Sequence, residues 1–106
     1  MIWRSQIAFH RIAGAALADA EAVLRRWLPG GRIAGGEYLA CNPRRTDRRL
    51  GSFRINLRSG RWADFALAGV AGGDLISLAA YLFDLSQSDA ARRLAVMLGI
   101  DPYDPC

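Results

Sequence analysis

Apolar residues recur at intervals of three and four in the first third of the chain. From Ile12 to Leu28 they fall on one face of a helical wheel, and the charged residues fall elsewhere. This spacing predicts an amphipathic helix over about residues 11–28. Pro29-Gly30-Gly31 follows at once, and proline and glycine end helices, so the predicted helix stops there.

The last third of the chain predicts two further helices. Asp74 is a suitable N-cap for a helix whose apolar positions run from Leu75 to Phe83. Another apolar-periodic segment begins near Ser86 or Ser88. Gly99 is a natural residue for the end of that helix, because glycine readily adopts the left-handed conformation found there.

The middle of the chain has the period of strands. Ser52 to Leu57 alternates apolar and polar residues, Arg58-Ser59-Gly60 is a turn sequence, and Arg61 to Phe65 is a returning strand. Tyr38 to Cys41 is a further short apolar run. These patterns predict an α+β fold in which an N-terminal helix, a small antiparallel sheet of two or three strands with a hairpin, and two C-terminal helices form one domain over residues 1–106.

Composition bounds the class of protein. The chain has 106 residues, of which 52% are hydrophobic and 23% charged, which is typical of one globular domain. The two cysteines, Cys41 and Cys106, make no disulfide framework. The longest apolar runs are about half a membrane span, and the first residues lack a secretory pattern. We therefore expect a cytoplasmic protein without a membrane segment.

The distribution of charge is informative. All 14 basic residues are arginine, and the formal net charge is +4. Eight arginines lie between Arg32 and Arg61 against two acidic residues, a local balance of +6, whereas the other 76 residues have a balance of −2. A basic middle segment predicts a positive face for a polyanion. The alternatives are nucleotide bias in the gene and a merely solvated loop.

The residues needed for catalysis or a metal are scarce. His10 is the sole histidine, and no sequence motif places an acid or nucleophile beside it. One histidine and two cysteines cannot form a closed four-ligand zinc site. The sequence also lacks a P-loop, a dinucleotide fingerprint and clustered acids. It therefore predicts a protein that is not an enzyme and has no cofactor and no metal.

Four short motifs follow one another in a set order. They are Asn42-Pro43-x-Arg45-x-Asp47, Gly51-Ser52-Phe53-x-Ile55-Asn56, Arg61-Trp62-x-Asp64-Phe65 and Gly72-Gly73-Asp74-Leu75-Ile76. This order resembles the zinc-binding N-terminal domain of bacterial and phage DNA primases, which has a zinc-ribbon-like fold. The likeness is closer to the zinc-less version at the N-terminus of primase/helicase proteins of phages and integrative elements, and that version would cover nearly the whole chain.

The resemblance places other residues where that family has zinc ligands. Asn42, Arg45, Asp64 and Leu67 stand at the four ligand positions, and of these only Asp64 could bind a metal. We therefore expect a charge-paired network in place of the zinc, with Arg45 facing Asp64 or Asp47.

The resemblance also implies a function. In that family the domain binds single-stranded template DNA and performs no nucleotide chemistry, so a DNA-binding accessory module of replication is expected. The residues predicted to contact phosphates or to stack on bases are Arg44, Arg45, Arg48, Arg49, Arg54, Arg58, Arg61, Trp62 and Tyr38. Phe53 is a further stacking candidate, although Phe53 and Phe65 are first expected in the core, as is Trp62 in the alternative interpretation.

A different class of function stays open. A free-standing domain from a phage or mobile element could bind a replication or defence protein, as an adaptor or an inhibitor. An apolar patch near Leu82, Phe83 and Leu85 would then be the contact surface, or the arginines would meet an acidic partner. No feature of the sequence separates DNA from RNA or indicates an oligomeric state.

Overall fold

The structure, a computed structural model, describes residues 6–46 and 49–104. Within these residues the chain forms four helices and two antiparallel sheets, which confirms the predicted α+β class. The helices are α1 (Phe9–Ala18), α2 (Ala20–Trp27), α3 (Leu75–Phe83) and α4 (Gln87–Leu98). None of these helices has the length and apolar content needed to cross a bilayer.

The predicted first helix is divided in two at Asp19. This residue is at once the C-cap of α1 and the N-cap of α2, with φ −122° and ψ 32°. The buried positions are Ile12 and Ala16 in α1 and Ala20, Val23 and Leu24 in α2. The prediction of one continuous helix was therefore wrong, although both halves present their apolar sides to the core as expected. Aspartate is a weak helix former, which favours the break at this position.

The main sheet is a simple meander of five short strands. Its strands pair in chain order, each antiparallel to the next: β2 (Arg32–Ala34), β3 (Glu37–Ala40), β4 (Phe53–Asn56), β5 (Trp62–Asp64) and β6 (Ala71–Gly72). A separate two-stranded sheet joins β1 (Gln6–Ile7) to β7 (Tyr103–Asp104). The sequence underestimated the number of strands because runs of two or three residues are too short to show an alternating pattern.

The register of the strands decides which side chains face the helices. Tyr38 on β3 pairs with Ile55 on β4, which pairs with Trp62 on β5, and all three are buried. The next row on the same face contains Phe53 and Asp64. Because side chains alternate along a strand, the residues between them point to the other, outer face of the sheet. The inner rows join the core of the helices around Leu75 and Ile76.

A capping box connects the start of α3 to the sheet. The Asp74 carboxylate accepts a hydrogen bond from the backbone N–H of Ser77 (2.8 Å), as the sequence predicted for this N-cap. The Ser77 hydroxyl in turn accepts one from Nε1 of Trp62 (3.0 Å). A Cβ added to Gly72 would collide with both Ser77 Oγ and Trp62 Nε1. Glycine is therefore required at position 72 by the close approach of β6 to this pair.

We expect Gly72→Ala to destabilise the fold by about 1–3 kcal/mol, because the added methyl group forces apart the Trp62–Ser77 contact. Gly73→Ala is the matched control, since a Cβ there meets no atom within 4 Å. Urea unfolding of the two variants and the wild type measures the difference. Equal midpoints for both variants would contradict this role of Gly72.

Candidate nucleic-acid interface

A buried carboxylate lies where β5 ends. Asp64 is 1% exposed, and its side chain accepts hydrogen bonds from Arg45 Nε (2.7 Å), Asn42 Nδ2 (2.8 Å) and the backbone N–H of Ala66 (2.9 Å). A carboxylate removed from water needs such partners because its desolvation costs several kcal/mol. The predicted ion pair between Arg45 and Asp64 is therefore confirmed, whereas Asp47, the other candidate, lies outside the described residues.

The same contacts tie four parts of the chain together. Arg45 also donates from Nη2 to Ser52 Oγ (2.6 Å), immediately before β4. Asn42 donates a second hydrogen bond from Nδ2 to the Tyr81 hydroxyl on α3 (2.9 Å). We call Asn42, Arg45, Ser52 and Asp64 the Asp64 cluster. It joins the loop after β3, the start of β4, the end of β5 and helix α3 by side-chain hydrogen bonds.

Three of the four positions that the primase resemblance equates with zinc ligands meet in this cluster. Asn42, Arg45 and Asp64 are in mutual contact through the carboxylate, while Leu67 contributes its backbone N–H, which donates to the Asp64 carbonyl (3.1 Å). The described part of the chain has no group of three His, Cys, Asp or Glu side chains able to hold a metal ion.

The cluster holds Asp64 in its ionised form. The hydrogen bond from the Arg45 side chain is the main cause that lowers the pKa of Asp64 below its usual value of 3.8. Burial acts in the opposite direction, and the hydrogen bonds from Asn42 and from the Ala66 N–H lower the pKa further. The net result is a charged carboxylate facing a guanidinium that is only 23% exposed.

Several residues expected to contact nucleic acid are committed elsewhere. Arg45 is held by Asp64 and Ser52, so its guanidinium is not presented to a phosphate. Tyr38 is fully buried, and its hydroxyl donates to the Leu28 carbonyl (2.7 Å). Trp62 is 5% exposed. The assignment of Tyr38 and Trp62 as stacking surfaces is corrected, because both point to the inner face of the sheet, where the helices cover them.

The aromatic ring that does face solvent was expected in the core. Phe65 is 73% exposed, and the guanidinium of Arg54 lies over its ring at 5.7 Å. The backbone N–H of Phe65 donates to the Ser52 carbonyl (2.8 Å), which fixes its position just beyond β5. Alternation along β5 could have revealed this: if Trp62 and Asp64 point inward, Ala63 and Phe65 point outward.

Phe65 stands at an open cleft on the outer face of the sheet. This sheet cleft has a volume of about 320 Å³ and contains Arg54, Arg61 and Phe65 together with Glu37, Asn56 and Ser59. Ala63, Ala71 and Gly72 line it as well, and their small side chains leave room above the strands. Glu37 approaches Arg54 at 3.6 Å, and both side chains are partly exposed. Exposed pairs of this kind are weak, so Arg54 can exchange this partner for a phosphate.

The remaining predicted arginines surround this region unevenly. Arg49 lines a neighbouring depression with Leu50, Ser52 and Ala66. Arg44 lies over the Tyr81 ring at 5.5 Å. Arg58 is exposed in the turn between β4 and β5. Arg48 lies outside the described residues.

No family model, curated protein or solved structure matches this chain. The function is therefore inferred from the residues of the chain itself. The features that bear on it are the sheet cleft with its exposed ring and two arginines, and the Asp64 cluster that fixes the end of β5 beside them.

We expect Asp64→Asn to destabilise the fold by about 3 kcal/mol, because it leaves the partly buried Arg45 without its counter-charge. Asp89→Asn is the matched control: Asp89 also meets an arginine at 2.7 Å, but on the exposed surface of α4. Its loss should cost about 0.5 kcal/mol or less. Chemical unfolding measures both, and similar losses for the two variants would show that the Asp64 cluster has no special weight.

The lowered pKa of Asp64 predicts how this effect depends on pH. A carboxylate whose pKa is lower in the folded state contributes its full stability above the unfolded value and loses it as pH falls through the folded value. The stability difference between wild type and Asp64→Asn should therefore stay constant from pH 7 to 5 and narrow below about pH 4. Urea unfolding at pH 7, 5 and 3 tests this. A difference that already narrows between pH 7 and 5 would contradict it.

Proposed function

We propose that this chain is a non-catalytic module that binds single-stranded nucleic acid, with DNA as the expected ligand, on the outer face of its sheet. The observation that carries the proposal is the exposed Phe65 ring beside Arg54 and Arg61 in the sheet cleft. An exposed apolar ring on a protein surface costs free energy unless a ligand covers it. A nucleic-acid base is flat, apolar on its faces and able to stack on such a ring.

The chemistry of the cleft fits a strand with unpaired bases. Phe65 offers a stacking surface, Arg54 already lies over that ring, and Arg61 adds a second positive charge in the same cleft. Arginine contacts phosphate oxygens and also stacks on planar groups, so both parts of a nucleotide find a partner. In a duplex the base faces are covered by their neighbours. A single strand is therefore the preferred ligand.

The resemblance to the template-binding domain of primases supports this proposal in a second way. It led to the expectation that Arg45 and Asp64 are in contact although they lie 19 positions apart in the sequence. The structure contains that contact at 2.7 Å. An ion pair at the positions equated with zinc ligands would hold the hairpin in the arrangement that a metal holds in the zinc-binding members.

Phe65→Ala is expected to weaken binding of a labelled 12-nucleotide single strand by about 1–3 kcal/mol, or about 5- to 150-fold in Kd, because one stacked base loses its platform. Fluorescence anisotropy measures the change. Phe9→Ala is the matched control, since Phe9 is 41% exposed on α1, away from the sheet cleft. Phe65→Leu should give an intermediate loss. Equal affinity of Phe65→Ala and wild type would overturn the assignment of the stacking site.

The arginines are tested by the dependence of Kd on salt. Replacing Arg54 and Arg61 by Ser should reduce the slope of log K against log salt by about 0.7 for each phosphate that these arginines neutralise. Arg92→Ser on α4 removes one charge outside the sheet cleft and should leave the slope unchanged. A second variant with Arg44, Arg48 and Arg49 changed to Ala tests whether the neighbouring loop extends the surface. Unchanged slopes in both multiple variants would contradict the proposed interface.

A further inference from the structure

A second surface of the molecule is apolar and carries no nucleic-acid chemistry. The C-terminal end of α2, helix α3 and helix α4 enclose an open groove of about 530 Å³, which we call the helical groove. Its apolar lining comprises Trp27, Ala79, Phe83, Leu85, Ala90, Leu94, Val96 and Met97. It shares no lining residue with the sheet cleft. Two of the residues predicted for an apolar contact patch, Phe83 and Leu85, belong to it.

The groove leaves large apolar side chains open to solvent. Phe83 is 49% exposed and Val96 is 75% exposed. The rings of Trp27 and Phe83 pack edge to face at 5.9 Å, which joins α2 to α3 as one wall. Apolar side chains that lie side by side on a surface, rather than singly, are typical of a contact surface for another protein.

The shape of the groove matches a helix. Ala90, Leu94 and Met97 occupy positions i, i+4 and i+7 of α4, so they form one stripe along the floor. Seven helical residues extend about 10 Å, which is two turns. A partner helix with apolar residues at the same spacing would present a stripe of equal length, as in other complexes in which a helix lies in a groove.

The charges beside the groove indicate the sign of the partner. Arg26 on α2 and Arg93 on α4 line it, and neither forms an ion pair within the described residues. Their neighbours along the chain are paired: Arg25 with Glu21 at 2.9 Å, and Arg92 with Asp89 at 2.7 Å. Two positive charges on different walls of an apolar groove complement acidic side chains.

We propose that the helical groove binds an acidic amphipathic helix of a partner protein. Its apolar stripe lies on α4 between Trp27 and Phe83, and its acidic side chains meet Arg26 and Arg93. A second copy of the chain is a poorer occupant, because a symmetric contact through this surface would bring the same arginines close to one another. The proposal goes beyond nucleic-acid binding and gives the chain a separate surface for an adaptor role.

The test is a display library of 16-residue amphipathic peptides, selected on the folded full-length chain. The expected winners have apolar residues at i, i+3 or i+4, and i+7, with acidic residues at the margins of that stripe. A synthetic winner should bind Arg26→Glu/Arg93→Glu at least about tenfold more weakly, because like charges then face one another. The same peptide with its Glu residues changed to Lys should recover affinity for this variant. Arg25→Ser/Arg92→Ser is the matched control and should bind the original peptide normally.

Other outcomes overturn the proposal. They are a selection without winners, winners that are basic or neutral, and binding that is insensitive to the variants at Arg26 and Arg93. Self-association in sedimentation experiments that Val96→Asp abolishes would assign the groove to a second copy instead. Phe65→Ala separates the two functions: it should weaken binding of the single strand and leave peptide binding intact. Unfolding measurements on each variant exclude loss of the fold as the cause.

Discussion

The rest of the structure depends on one buried carboxylate. Asp64 lies where water does not reach it, and it stays charged because Arg45 and Asn42 donate hydrogen bonds to it. A buried charge without these partners would cost several kcal/mol, so the loop after β3 and the start of β4 must close over the end of β5. Tyr81 extends the same network to α3 through Asn42. Side chains distant in sequence thereby fix a small sheet that has few residues per strand.

The same constraint prepares the candidate interface. Side chains alternate along a strand, and a strand that points Asp64 inward must point its neighbour outward. Phe65 therefore stands on the outer face, where Arg54 covers part of its ring and Arg61 lies in the same cleft. The stability of the Asp64 cluster and the exposure of the proposed stacking ring are consequences of one register. Loss of the ion pair would disturb both.

Two surfaces with different chemistry share this small scaffold. The sheet cleft offers an exposed ring and guanidinium groups, which suit the planar bases and phosphates of a single strand. The helical groove offers an apolar floor between Trp27 and Phe83 with Arg26 and Arg93 beside it, which suits an acidic helix. Because the two sites have no residue in common, one domain can hold a strand and a protein partner at the same time.

Local interactions are what the sequence alone determined. The Asp74 cap, the left-handed Gly99 at the end of α4 and the hairpin of β4 and β5 follow from residues a few positions apart. The contact of Arg45 with Asp64 was also predicted, from the resemblance to primase domains. The tertiary structure decided burial: it placed Tyr38 inside and Phe65 outside. The physical reason is that alternation defines two faces of a strand, and only the packing of the helices decides which of them becomes the core.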